Sequence, residues 1–165
     1  MELWDILDET GRPTGRTICR GDQLRPGEYY LAVHIWIINS NGEFLIQMRD
    51  KEKPLWPGMW AATGGAAIAG ETSLEAALRE VEEELGVRPN PESMELLARI
   101  KRENFFTDVW SLRQDFSLED VVMQPGEVCG ALWASRDDIE RLVQVGEFVN
   151  YRYLGSFLRG LPIKE

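Results

Sequence analysis

Apolar residues recur along this chain in two periods, and each period marks a different kind of element. Leu3–Leu7 alternates weakly and predicts a strand, closed by the turn residues Thr10-Gly11-Arg12-Pro13-Thr14-Gly15. Arg16–Arg25 shows no period and reads as an irregular surface loop whose charges can cover the edge of a neighbouring site. Tyr29–Asn39, YYLAVHIWIIN, is β-branched and aromatic with few polar positions, which predicts a central strand. Ser40-Asn41-Gly42 predicts a hairpin turn and Glu43–Arg49 its returning strand. Ala61–Thr63 reads as a further short strand.

The period changes after Thr72. At about 100° per residue, Leu74, Ala77, Leu78, Val81 and Leu85 fall within an arc of roughly 100°, the width of a core-facing helical stripe. Thr72 and Glu75 have the spacing of a capping box, and Gly86 can take the left-handed conformation that stops a helix. Glu80, Glu83 and Glu84 fall in a second arc beside the apolar one, so they gather next to the buried face. Beyond a Pro/Asn loop at Val87–Ser93, Met94–Lys101 and Phe105–Leu112 predict two strands. Asp115–Gly126 is acidic and irregular, and Glu127–Ala134 predicts another strand. Ser135 and Asp138 can cap a short helix, Arg136–Val145. Phe148, Tyr151, Leu154, Phe157 and Leu158 lie near helical spacing and predict a closing helix over Phe148–Leu158. The elements add up to an α/β chain, a mixed sheet between helices in an α/β/α sandwich. Residues 1–165 read as one domain, with 1–28 an N-terminal extension and 65–87 a loop and helix at its centre.

Charge narrows the partners. A net charge of −10 argues against a nucleic-acid polymer or an anionic membrane surface. An anionic substrate is repelled too, unless bound cations reverse the sign locally. Cys19 and Cys129 form no metal-binding pattern and read as small apolar residues of a reduced compartment. One histidine excludes multi-histidine zinc sites. MELWDILDE has no apolar signal core and no run reaches membrane length, so a cytoplasmic location is expected. The acidic surface neither requires nor excludes a homodimer.

Three helical carboxylates repel one another unless a cation lies between them. Arg79 is placed to brace them, four residues before Glu83 and one before Glu80. An oxygen-only cluster suits Mg²⁺ or Mn²⁺. Gly65–Val87 resembles the Nudix box, Gly-x5-Glu-x7-Arg-Glu-U-x-Glu-Glu-x-Gly-U with U apolar, through Gly65, Glu71, Arg79, Glu80, Val81, Glu83, Glu84, Gly86 and Val87, without departure. The resemblance implies the same sandwich fold and a hydrolase that cuts a diphosphate linked to another moiety, using Mg²⁺ or Mn²⁺. It implies Glu80, Glu83 and Glu84 as metal ligands, joined by a main-chain carbonyl near Gly65, with Glu71 and Arg79 holding loop and helix in register. A base is also required; one of the box glutamates and Glu127 are the candidates, and Glu127 reads as a metal ligand or that base, or else as a plain strand-end residue.

In the same family an arginine placed like Arg49 often touches substrate phosphate, and a surface arginine is the alternative. Pro57-Gly58-Met59-Trp60 is similar to the family's approach to the box. Trp56 and Trp60 can stack on a base, wall a pocket or pack in the core. His34 reads as a satisfied sheet histidine or a substrate contact. The N-terminal extension, the LAVHIWI strand and PGMW are also similar to the isopentenyl-diphosphate isomerase branch of this superfamily. Trp60–Glu71 lacks the Cys and His which that chemistry uses, so a hydrolase on an isomerase-like frame is expected. A non-catalytic nucleotide or nucleotide-sugar sensor is the third class.

Overall fold

A computed structural model describes residues 1–163. β1 (Leu3–Leu7) and β2 (Pro13–Cys19) form an antiparallel hairpin. The expected loop at Arg16–Arg25 is therefore partly strand. β2 is exposed along most of its length, so no apolar alternation betrays it.

Among the described residues, β3 (Tyr30–Ile38), β4 (Phe44–Arg49), β5 (Trp60–Ala61), β6 (Thr63–Ala66), β7 (Met94–Lys101), β8 (Phe105–Arg113) and β9 (Val128–Ala134) make one mixed sheet. β3 is central, as its composition predicts. It runs parallel to β8 from Tyr30↔Phe105 to Ile38↔Arg113 and antiparallel to β6 from Ala32↔Ala66 to Ile35↔Thr63. It meets β4 only at Ile37↔Leu45 and Ile38↔Phe44. The expected strand Ala61–Thr63 is two strands, and the second extends through Gly64 into the start of the expected 65–87 loop, at Gly65 and Ala66.

The alternation of β3 builds a core on each face. Val33, Ile35 and Ile37 pack against Ala76, Ala77, Val81 and Leu85 of α1 (Ser73–Leu85). Trp36 and Val109 pack against Ile139 of α2 (Arg136–Gln144) and Leu154 and Leu158 of α3 (Leu154–Leu158) on the other. The α/β/α sandwich follows from these two cores. Ala76, outside the expected stripe, is buried, whereas Leu74 and Leu78 are partly exposed.

Both ends of α1 are fixed as the sequence implies. Thr72 and Glu75 form the reciprocal capping box, and Gly86 sits at φ 64°. A side chain at Gly86 would press on the Val122 backbone, because the 115–127 segment is tied to the last helical turn. Val122 N donates to Leu85 O at 2.9 Å and Gln124 N to Glu84 O at 3.1 Å.

The closing helix is shorter than expected. Trp60 N donates to Glu147 O and Val149 N to Trp60 O, each at 2.8 Å, so residues 147–149 run as a strap along β5. Tyr151 and Tyr153 are thereby laid over His34 rather than along a helix. No helix among the described residues is long and apolar enough to cross a membrane.

The Tyr153 hydroxyl accepts from Trp36 Nε1 at 3.1 Å and lies 2.8 Å from His34 Nδ1. An indole nitrogen only donates, so the hydroxyl accepts from Trp36 and still has its hydrogen and a second lone pair to pair with Nδ1 in either tautomer of His34. Burial, reinforced by Arg102, lowers His34 to about 4. The unfolded chain, with His34 near 6.5, binds the extra proton first. His34 therefore contributes stability above about pH 6.5 that is lost as pH falls toward about 4, at most about 3 kcal/mol. Denaturation series on wild type and His34→Gln should show a steeper loss over that window in wild type. Parallel curves would disprove the linkage.

Candidate functional site

The site forms where the edge of β6 meets the second half of α1. Helical spacing brings Glu80 and Glu84 to the same flank as the buried stripe, and both are buried. Glu84 Oε2 accepts from Gln47 Nε2 at 2.6 Å and from Gly64 N at 3.2 Å. Burial pushes the Glu84 carboxyl up to about 8, and the nearby charge of Glu80, and less strongly Glu127, adds to it. Burial also raises Glu80, partly offset by Arg79.

Arg79 is the organising cation. Its Nε donates to Glu71 Oε1 at 2.7 Å, and Nη2 donates to Glu71 Oε2 and to Ala66 O, each at 3.0 Å. Nη1 donates to Glu80 Oε1 at 2.8 Å and to Glu83 Oε2 at 3.0 Å. Glu71 also accepts from Ile68 N at 2.9 Å, which ties helix and loop together. Glu71's hydrogen bonds lead in raising the guanidinium further above its ordinary value.

The structure brings Glu80 and Glu84 together, but Glu83 points outward and is held by Arg79, with its side chain 48% exposed. The expected inward cluster of three carboxylates is therefore a buried pair with one exposed neighbour. Among the described residues no group of three or more His, Cys, Asp or Glu stands ready to enclose an ion. The donor set still fits a hard divalent cation. It is all oxygen, and among the described residues Glu84 meets an amide and a backbone N–H as hydrogen-bond donors and no cation. A Cβ built on Gly65 would run into the Glu80 carboxylate, so only glycine leaves the backbone bare at this point.

Glu127 lies one residue before β9, and Lys53 Nζ donates to its Oε2. Asp50 N donates to Glu127 O at 2.9 Å, which closes the 50–58 loop against this side of the site. Arg49 and Trp56 are brought together: the Arg49 guanidinium lies 6.0 Å from the Trp56 ring centroid, and its Nε donates to Leu55 O at 2.9 Å. Trp56 is 50% exposed and holds the left-handed φ of 49°, unusual for a bulky residue. Trp60 instead packs against the core.

Three contributors escaped the sequence reading. Gln47 is buried and accepts from Thr63 Oγ1 at 3.1 Å; its signal was a lone amide within the apolar run FLIQM. Lys53 carries no local signal that sets it apart from Lys51 in the same loop. Tyr151 looked like part of a helical stripe, yet its hydroxyl accepts from Ala62 N at 3.3 Å and it lies within the electrostatic reach of Arg49 and Glu84.

Tyr30, Ala32 and His34 share a face of β3, with Ala66 opposite Ala32 and Gly64 opposite His34. These residues are only partly buried although β3 is the central strand.

The family model described as NUDIX domain matches residues 28–154. An uncharacterized Nudix hydrolase of Listeria monocytogenes is 40% identical over 157 residues, covering 94% of this chain and 93% of its own. The crystal structure of DR0079 from Deinococcus radiodurans superposes with a TM-score of 0.78 at 26% identity, covering 96% of this chain and 98% of that one. An isopentenyl-diphosphate Delta-isomerase of Paenarthrobacter aurescens is 36% identical over 90 residues, 54% of this chain and 49% of its own.

Proposed function

The chain belongs to the Nudix hydrolase family, and from that premise we propose that it cleaves the diphosphate linkage of a small molecule, a nucleoside diphosphate linked to another moiety or a related compound, by attack of water on phosphorus with Mg²⁺ or Mn²⁺ as cofactor. The observation that carries this reading is the buried pair Glu80 and Glu84, of which Glu80 is braced by the Arg79 guanidinium. Glu80, Glu84 and the Gly65 carbonyl would hold the ion, with Glu83 recruited from the neighbouring turn. The bound ion neutralises diphosphate oxygens and makes water a better nucleophile at neutral pH.

The chain's own groups do the rest. Arg79 positions the box loop, Glu80 and Glu83 through five hydrogen bonds. Glu127 is the base that takes the proton of the attacking water, and Lys53 holds that carboxylate at the rim. Arg49 offers a guanidinium fork to a phosphate, and Trp56 shields it from one side.

The isomerase reading rests on similarity over about half of the chain, and Trp60–Glu71 supplies neither the cysteine nor the histidine for it. A non-catalytic sensor keeps no need for a complete box. Purified protein with Mg²⁺ should be incubated with nucleoside triphosphates, nucleotide sugars, dinucleotides and isopentenyl diphosphate. Cleaved phosphate products are the expected result. Dimethylallyl diphosphate, or tight binding without product, would replace the proposal with the isomerase or the sensor.

A further inference from the structure

The central sheet forks beneath the site. β3 pairs with β4 only at Ile37↔Leu45 and Ile38↔Phe44, and from Ile35↔Thr63 onward its partner is β6. Gln47 stands on β4 just past the point where the two strands part, and Thr63 is the first residue of β6. Leu45 packs in the core that faces α1, and Gln47, two positions on, shares that face. An apolar side chain there would simply continue the core. A buried amide instead costs about 1–3 kcal/mol unless its hydrogen bonds are made. Gln47, Thr63 and Glu84 are all buried, and they bond to one another across β4, β6 and α1.

The donors and acceptors run in one direction. An ionised carboxylate only accepts, so Gln47 turns Nε2 to Glu84 Oε2, at 2.6 Å. That orientation turns Gln47 Oε1 to Thr63, whose hydroxyl donates to it at 3.1 Å. The Thr63 hydroxyl therefore decides which way the amide faces. Gly64 N adds a second hydrogen bond at 3.2 Å, on the same Glu84 oxygen. Among the described residues Glu84 Oε1 accepts no hydrogen bond, and no fully buried side-chain oxygen there lacks a partner, so Oε1 reaches the open side of the site. One carboxylate oxygen is anchored and the other is presented. A trio present only for packing is better replaced by apolar side chains such as its neighbours Leu45, Val81 and Leu85.

We infer that Gln47 and Thr63 are positioning residues of the metal site: they lock Glu84 through Oε2 so that Oε1 is held toward the divalent cation, and Thr63 acts only through the Gln47 amide. This rests on the diphosphatase reading, because that reading makes Glu84 a ligand. A carboxylate already fixed by its neighbours loses little rotational freedom when the ion arrives, whereas one that turns freely must be ordered at that moment.

The test is Mn²⁺ binding to the substrate-free protein, followed by electron paramagnetic resonance, with thermal melts on the same samples. Thr63→Val keeps the shape and loses the donor; Gln47→Met keeps the length and loses the amide. Each should weaken Mn²⁺ binding by about tenfold or more, the scale lost when a ligand's supporting hydrogen bond is removed. Thr63→Ser, which keeps the hydroxyl, should bind Mn²⁺ nearly as wild type does. Thr63→Val added to Gln47→Met should cost no further affinity, because the hydroxyl has no other route to Glu84. Unchanged Mn²⁺ affinity in Thr63→Val and Gln47→Met, with only the melting temperature lowered, overturns the inference. So do additive losses in the double variant, or a serine variant as weak as the valine one. If Gln47→Met does not fold, the valine and serine variants decide the matter alone. Glu84→Gln separates the two readings. If it weakens Mn²⁺ binding while Thr63→Val and Gln47→Met do not, only this inference falls. If it leaves binding unchanged, or wild type binds no Mn²⁺, the diphosphatase reading falls with it.

Discussion

Glu84→Gln is expected to lower kcat by about a thousandfold, the scale lost when one preorganised electrostatic group is removed from a reacting centre, while the protein stays folded. The two halves of that expectation have separate causes. Glutamine keeps the shape of the side chain and can still accept from Gly64 N and Gln47 Nε2 through its carbonyl oxygen. It removes a carboxylate that burial and Glu80 already disfavour, so the melting temperature should hold or rise. What it cannot do is supply a negative oxygen to a divalent cation. Glu83→Gln carries the same expectation for turnover, with less effect on packing because that side chain is exposed. Initial rates of cleavage and thermal melts on the same samples read both halves. Near-wild-type turnover in both variants would remove α1 from the chemistry.

The legible and illegible parts of this molecule divide along physical lines. α1 was legible to the residue at both ends, because a capping box and a left-handed glycine are local signals. β3 was legible because a strand covered on both faces has to be apolar almost throughout. β2 was not, because an exposed strand answers to no core. The helical spacing at Phe148–Leu158 misled, since the aromatic residues there cover His34 and Trp36 from a strap instead of lining one helical face. At the site, the box letters named Glu80 and Glu84 but could not say that Glu83 turns away to Arg79. Nor could they join Lys53 to Glu127, whose side chains are 74 positions apart in the chain. Pairings of that kind depend on where two loops end up, which no local pattern records.

Arg79→Met should produce the largest loss of stability of any single change at the site, about 3–5 kcal/mol. The guanidinium is only 21% exposed and serves three carboxylates and one carbonyl. Without it the partly buried Glu71 and Glu80 carboxylates face each other and the helix with no counter-charge, and the Ala66 carbonyl loses a donor. Breaking a shielded ion network by removing its hub costs far more than the network was worth as a pair sum, because the remaining charges cannot return to water. For a domain of this length the loss corresponds to a drop in melting temperature of about 10 °C. Arg79→Lys should recover only a minority of it, since one ammonium cannot span Glu71, Glu80 and the loop carbonyl at once. The decisive measurement is a double-mutant cycle with Glu71→Gln. If Arg79 stabilises the fold by holding the loop to the helix, the two changes should be strongly non-additive, with a coupling of about 1 kcal/mol or more. Additive losses, or a melting temperature within about 2 °C of wild type in Arg79→Met, would mean that the loop and α1 are held in register by the β3–β6 pairing and the capping box alone.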